Sequence, residues 1–111
     1  MKSLFHPKKE DIVLANVLYA LGDPTRLQIV KSMAVNEVSC SGVGLDKLKS
    51  TLSYHYKILR EAGIIRTRIE GTQRFMSLRR TDLNSLFPGL LDSILTALDD
   101  LPAEEPLLTV S

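Results

Sequence analysis

Across a single glycine this chain changes its period. From Ser50 to Ala62 the apolar residues recur with helical spacing, and beyond Gly63 the run Ile64 to Glu70 alternates. A helix that closes on a glycine suited to the left-handed cap, and leads at once into a strand, has to bury one face beside that strand. At about 100° per residue, Leu52, Tyr56 and Leu59 share a face, with Ile58 and His55 on its flank, whereas Ser50, Ser53, Tyr54 and Lys57 lie opposite. One face packs and the other is left to meet something else. A second β-compatible run, Phe75 to Arg80, joins the first through Gly71, Thr72, Gln73 and Arg74, which predicts a hairpin. Alternation sends Ile65, Thr67 and Ile69 to one side and Arg66, Arg68 and Glu70 to the other, so one side of the ribbon is basic.

Upstream, Ile12, Val13, Ala15, Val17, Tyr19, Ala20 and Leu21 have helical spacing, and Gly22 stops the run. Asp23 followed by Pro24 predicts a second helix, because the carboxylate caps free N–H groups and proline at the first helical position gives up none. That helix runs to about Ala34, with Leu27, Ile29, Val30 and Met33 toward the core and Arg26 and Lys31 at the boundary or outside. Asn36 to Gly44 is small, polar and contains two glycines, so a turn or an abbreviated helix is expected there. Downstream, Thr81 and Asp82 open another helix, Phe87-Pro88-Gly89 kinks or restarts it, and Leu90, Leu91, Ile94, Leu95 and Leu98 form an apolar stripe. Residues 1–100 therefore read as one domain and residues 101–111, with two prolines and two glutamates, as a flexible tail.

At 111 residues, 44% hydrophobic and 24% charged, the chain has the composition of one folded domain rather than a disordered or fibrous protein. Its apolar runs fall far short of the roughly 18 residues of a membrane span, and Met1 to Glu10 lacks a secretory signal, so a cytoplasmic location away from the membrane is expected. The formal net charge of +1 conceals an asymmetry. Between Lys47 and Arg80 stand nine basic and two acidic residues, a local +7, and the remainder of the chain carries −6. Such a segment can turn a basic face toward a polyanion, of which nucleic acid is the commonest in the cytoplasm.

Helix, helix, short helix or turn, amphipathic helix, basic hairpin, helix is the order of a winged helix-turn-helix, a mostly α (α+β) fold with the order α-α-(short α)-α-β-β-α. The residues themselves resemble a known family, the arsenical-resistance-type (ArsR/SmtB) repressors. Ala20-Leu21-Gly22-Asp23-Pro24-Thr25-Arg26-Leu27-Gln28-Ile29-Val30 is similar to the family's approach to its second helix. The run from Lys49 to Ile65, KSTLSYHYKILREAGII, is similar to its recognition helix and exit strand. With the wing, the resemblance spans roughly residues 10 to 98. It implies a homodimeric transcriptional repressor that binds double-stranded DNA at a near-palindromic operator and is released by an effector, whose identity the sequence does not give.

Carried over position by position, the resemblance places base reading on Ser50, Thr51, Ser53, Tyr54 and His55, with Lys57 nearest the phosphates. For His55 a structural hydrogen bond is the competing reading. Tyr54 can meet a thymine methyl or donate one hydrogen bond, where many relatives carry Arg or Gln. The wing positions are Arg66, Arg68, Thr72, Gln73 and Arg74. In the family the first and last helices build the dimer interface, which here assigns it to Leu14, Val17, Leu18, Leu90, Leu91, Ile94, Leu95 and Leu98. A chain this small has little else with which to cover those side chains.

The sensor positions depart from the family. Its metal-sensing members carry two cysteines one residue apart, and Glu37-Val38-Ser39-Cys40-Ser41 has serines at both places, with the lone cysteine between them. The family's other common site needs histidine on the last helix, and the two histidines are His6 and His55. Neither a metal nor another cofactor is expected. Cys40 stands as a candidate thiol sensor, able to pair with its counterpart in a dimer or meet an electrophile, against the plainer reading of a small buried side chain. No Ser/His/Asp set, phosphate-binding glycine loop or metal cluster supports an enzyme. The competing binding reading keeps the fold and turns the basic face to an acidic protein partner.

Overall fold

The computed structural model describes residues 4–45 and 47–99, so the expected tail lies outside the described residues. Helix α1 (Leu14–Leu21) ends at Gly22, and the Asp23 carboxylate then accepts a hydrogen bond from the Arg26 backbone N–H at 3.0 Å. With Pro24 at the first helical position, this starts α2 (Pro24–Ser32), which ends two residues short of the expected Ala34. The small, polar stretch that follows holds a two-residue strand, β1 (Val38–Ser39), and a 3-10 turn (Cys40–Gly42) in place of a short α-helix. Next come α3 (Lys49–Glu61), β2 (Ile65–Glu70), β3 (Gln73–Leu78), α4 (Arg80–Leu86) and α5 (Leu90–Asp99), with the break between the last two at Phe87-Pro88-Gly89.

The hairpin is tighter than its composition suggests. Glu70 pairs with Gln73 and Ile69 with Arg74, so Gln73 and Arg74 belong to β3 and only Gly71 and Thr72 form the turn. Gly71 has φ +63°, the positive value that a two-residue hairpin loop with glycine first requires. β1 adds antiparallel to the other edge of β3, through Val38 opposite Met76 and Ser39 opposite Phe75, giving the order β1-β3-β2. A two-residue strand is too short to show alternation, which is why the sequence reads there as a turn or an abbreviated helix.

Helices and sheet share one core, in which Val17, Ile29, Val30, Leu59, Ile64, Ile65, Met76 and Leu91 are almost fully buried. Gly63 joins the two layers with φ +90°, and a Cβ there would stand 2.6 Å from Cγ1 of Ile12. No other residue both adopts that backbone and leaves room for Ile12. The free edge of β2 is covered by the N-terminal segment. The Thr67 backbone N–H donates to Nε2 of His6 at 3.0 Å, Arg60 Nε donates to the Phe5 carbonyl at 3.1 Å, and Arg79 Nη1 to the Pro7 carbonyl at 2.8 Å. An exposed edge strand invites pairing with another chain, and this segment blocks it.

Candidate nucleic-acid interface

Helix α3 carries the division of faces that its periodicity predicts. Tyr56 and Leu59 are buried and Leu52 is half-buried, whereas Ser50, Thr51, Ser53, Tyr54 and Lys57 are exposed, Tyr54 to 57%. Its N-terminus has no side-chain cap, since Leu48 occupies the capping position, and the first-turn N–H groups remain available to an anion. Tyr56 anchors the helix to the preceding turn by donating from its hydroxyl to the Cys40 carbonyl at 3.1 Å. Burial pushes the Tyr56 phenol up to about 12, so it stays a donor.

His55 departs from the expected reading set. It is buried, and Arg26 Nη1 donates to its Nδ1 at 3.1 Å. Because guanidinium cannot accept, Nδ1 is unprotonated and the ring is neutral. Burial lowers the His55 pKa, Asp23 opposes this, and Arg26 and Lys47 add to the lowering. The ring is therefore a fixed structural acceptor rather than a groove contact. Arg26 is likewise buried, not at the boundary where helical spacing put it. Its Nε donates to the Ala20 carbonyl at 2.6 Å, and Nη2 reaches the Tyr19 carbonyl at 3.4 Å. One guanidinium thus satisfies the Ala20 carbonyl at the end of α1, adds a longer bond to a Tyr19 carbonyl that already accepts from the Gly22 N–H, and holds α3 through His55.

The basic segment is divided in the same way. Arg60 and Arg79 hold the N-terminal segment, Arg79 is also paired with Asp82 at 2.8 Å, and Arg80 donates to the Ala34 carbonyl. Arg68, expected as a wing contact, is held by Glu37 through Nε and Nη2 at 2.9 and 3.0 Å and by Glu70 through Nη1 at 2.6 Å. Its guanidinium also lies 4.6 Å from the centre of the Phe75 ring. This arrangement holds the Glu37 carboxyl below its ordinary range and raises the Arg68 pKa, so a phosphate would have to displace two carboxylates. Lys47, Lys49, Lys57, Arg66 and Arg74 are exposed and have no ion pair among the described residues. Thr72, Gln73 and Arg74 stand exposed at the wing tip.

Sequence spacing did not distinguish these two groups of cations. For Arg68 and Arg79 the signal that could have done so is the acidic partner, Glu37 and Glu70 for the first and Asp82 three residues on for the second; Arg60 and Arg80 meet backbone carbonyls, which leave no such signal.

The expected dimer stripe is also redistributed. Val17 is buried where α1 packs on α2 and α3, Leu91 is buried in the same core where α5 lies against α2 and α4, and Leu98 is buried as well. Leu90, Ile94 and Leu95 are half-buried against the same core. The apolar surface left open is on α1, where Leu14 and Leu18 are joined by Val13 and Tyr19, which were not among the expected residues.

Cys40 is half-buried, and burial raises its thiol pKa, the opposite of what activates a thiolate. Among the described residues no group of three His, Cys, Asp or Glu could hold a metal ion, and no helix is long and apolar enough to cross a membrane.

Residues 23–67, from the cap of α2 through α3 into β2, match the family model for bacterial regulatory proteins of the arsR family. YceK of Bacillus subtilis, an uncharacterised HTH-type transcriptional regulator, is 36% identical over 91 residues, covering 78% of this chain and 91% of that protein. Among solved structures, the transcriptional repressor BigR of Xylella fastidiosa is similar with a TM-score of 0.61 at 29% identity, over 76% of this chain and 84% of BigR. HlyU of Vibrio cholerae is similar with a TM-score of 0.56, also at 29% identity, over 66% of this chain and 89% of HlyU.

Proposed function

This chain belongs to the ArsR family of bacterial regulatory proteins, as a DNA-binding transcriptional regulator and not an enzyme, and from that premise we propose that it is a homodimeric repressor of a promoter. The observation that carries this reading is the exposed row Ser50, Thr51, Ser53, Tyr54 and Lys57 on a helix whose other face is locked into the core. Short hydroxyl side chains and one exposed aromatic ring suit base edges and thymine methyls, and Lys57, Arg66 and Arg74 suit the flanking phosphates. Thr72 and Gln73 at the wing tip extend the surface toward the neighbouring groove.

The open apolar face of α1, with Leu14 and Leu18 at its middle and Leu90, Ile94 and Leu95 of α5 completing it, serves as the dimer interface in this reading. A two-fold axis then presents two recognition helices to half-sites about one helical turn apart. Residues 1–100 form the DNA-binding and dimerisation unit, working in the cytoplasm. Repression is by occlusion, and release requires an effector with higher affinity for a state that cannot hold the operator.

Selection of bound sequences from a random DNA pool, followed by titration of the selected DNA at several salt concentrations, tests the reading. A palindromic site bound by two chains, with affinity falling steeply as salt rises, is the expected result. Failure to enrich any sequence, with only weak salt-sensitive binding, would overturn it in favour of an acidic protein partner.

A further inference from the structure

A cavity of about 430 Å³ opens between the turn before α3, the first two turns of α3 and the tip of the wing. Its size is within the range of small-molecule sites, a few hundred Å³ and upward. Its rim is cationic: Lys47, Lys49 and Arg74 line it, and none has an ion pair among the described residues. No acidic side chain is among the described lining residues. The uncapped start of α3 faces the same region, adding the positive end of a 13-residue helix. The floor has a different character, formed by Val43, Leu45, Leu52 and the Tyr56 ring beside the half-buried Cys40. Cations that meet no carboxylate among the described residues, set around an apolar floor, suit a ligand with two ends. A DNA phosphate, tied to its sugar, satisfies the rim but has no use for the floor.

We propose that this cavity binds a small organic anion, an apolar body bearing a phosphate, sulfonate or carboxylate, and that the bound anion excludes operator DNA. The body rests on Val43, Leu45 and Leu52, and the charged group lies between Lys49 and Arg74. The second part rests on the repressor reading above, because Ser53, Thr72, Gln73 and Arg74 line the cavity and also belong to the surface assigned there to DNA. Release by direct competition needs no signal carried across the molecule, since effector and operator both use Arg74 and the side chains beside it.

The test uses the full chain and its single cysteine. Phenyl phosphate is the probe, with phenol and inorganic phosphate as its two halves, and the readouts are the rate of Cys40 alkylation by iodoacetamide and the amide shifts in a ¹⁵N-labelled protein. Phenyl phosphate is expected to slow alkylation saturably and to move the amides of Cys40, Gly44, Leu45, Ser53 and Thr72. Neither half alone should do so at equal concentration, and Lys49→Ala with Arg74→Ala should weaken the effect by about tenfold. Equal protection by inorganic phosphate, shifts confined to α1 and α5, or no saturable response would each overturn the site. Phenyl phosphate should also displace selected DNA from the unsubstituted protein over the same concentration range. Operator binding with no cavity binding overturns the site alone, and cavity binding with no sequence selection overturns the repressor reading alone. Binding at the cavity without displacement overturns the competition.

Discussion

Replacing Arg26 with methionine keeps most of the side chain's apolar stem and removes its guanidinium, and the structure sets what that should cost. Arg26 is 6% exposed, so water cannot take over its partners. Two close hydrogen bonds disappear, Nε to the Ala20 carbonyl at 2.6 Å and Nη1 to His55 Nδ1 at 3.1 Å, along with the longer one to Tyr19 at 3.4 Å. Bonds from a charged donor contribute about 1.5–3 kcal/mol each, and a buried acceptor left open adds a desolvation cost of similar size. Relief of the cost of burying a cation offsets part of this, which leaves a net loss of about 3–5 kcal/mol. Against the roughly 5–15 kcal/mol that holds a domain of this kind together, the loss is a large fraction. Urea unfolding at fixed protein concentration measures it, and Arg26→Lys, which keeps the charge but loses the planar fork, should fall between parent and methionine variant. A double-mutant cycle with His55→Leu should give a coupling of about 1–2 kcal/mol, because the two side chains are in contact. A methionine variant within about 1 kcal/mol of the parent, or a cycle with no coupling, would refute the view that one guanidinium joins α1 to the recognition helix.

Three further outcomes are expected. His6 and His55 both accept a hydrogen bond at a ring nitrogen, and burial, the leading cause in each, lowers both pKa values below 6.5. Between the lowered folded values and 6.5 the unfolded chain binds more protons, so stability present above about pH 7 falls as pH drops through that window, and His6→Ala should flatten the curve measured by thermal unfolding. Leu14→Asp with Leu18→Asp, on the open face of α1, should give a folded monomer by sedimentation, because each leucine buried in the interface contributes about 1.5–3 kcal/mol; an unchanged dimer would remove α1 from the interface. Lys57→Ala should weaken binding to all DNA and reduce the salt slope by about 1, whereas Tyr54→Ala should change the preferred base; equal losses on selected and random DNA would refute that division of roles.

What could be read from the sequence was whatever depends on neighbours along the chain. Asp23 and Pro24 announce α2 because capping acts over three residues, and Gly63 announces the end of α3 because its backbone angle is local. The two faces of α3 follow from spacing alone. Apart from element ends, such as the close of α2 and the two-residue hairpin turn, the differences are matters of which distant group a side chain meets. Arg26 and His55 are 29 positions apart, and helical spacing put the first at the boundary and left the second open between a hydrogen bond and a groove contact. Arg68 and Glu37 are separated by 31 positions, and from the strand pattern Arg68 looks the same as Arg66. Val17 and Leu91 carry the periodicity of an open stripe and are taken up by the core, Val17 where α1 packs on α2 and α3 and Leu91 where α5 docks on α2 and α4.

These long-range pairs also decide how charge is used. The segment from Lys47 to Arg80 looked uniformly basic, but Arg60, Arg68, Arg79 and Arg80 are spent on the scaffold, holding the N-terminal segment, the wing and the start of α4. Lys47, Lys49, Lys57, Arg66 and Arg74 remain, on α3, just before it and on the wing. A long-range potential depends on all nine, whereas contacts with an anion depend on the five that neither a carboxylate nor a backbone carbonyl holds among the described residues. Neutralising Arg68 should therefore loosen the wing more than it weakens the salt dependence of DNA binding, and neutralising Arg74 should do the reverse. The arginines are alike in the chain, and what separates their roles is the carboxylate or backbone carbonyl that each meets in the fold.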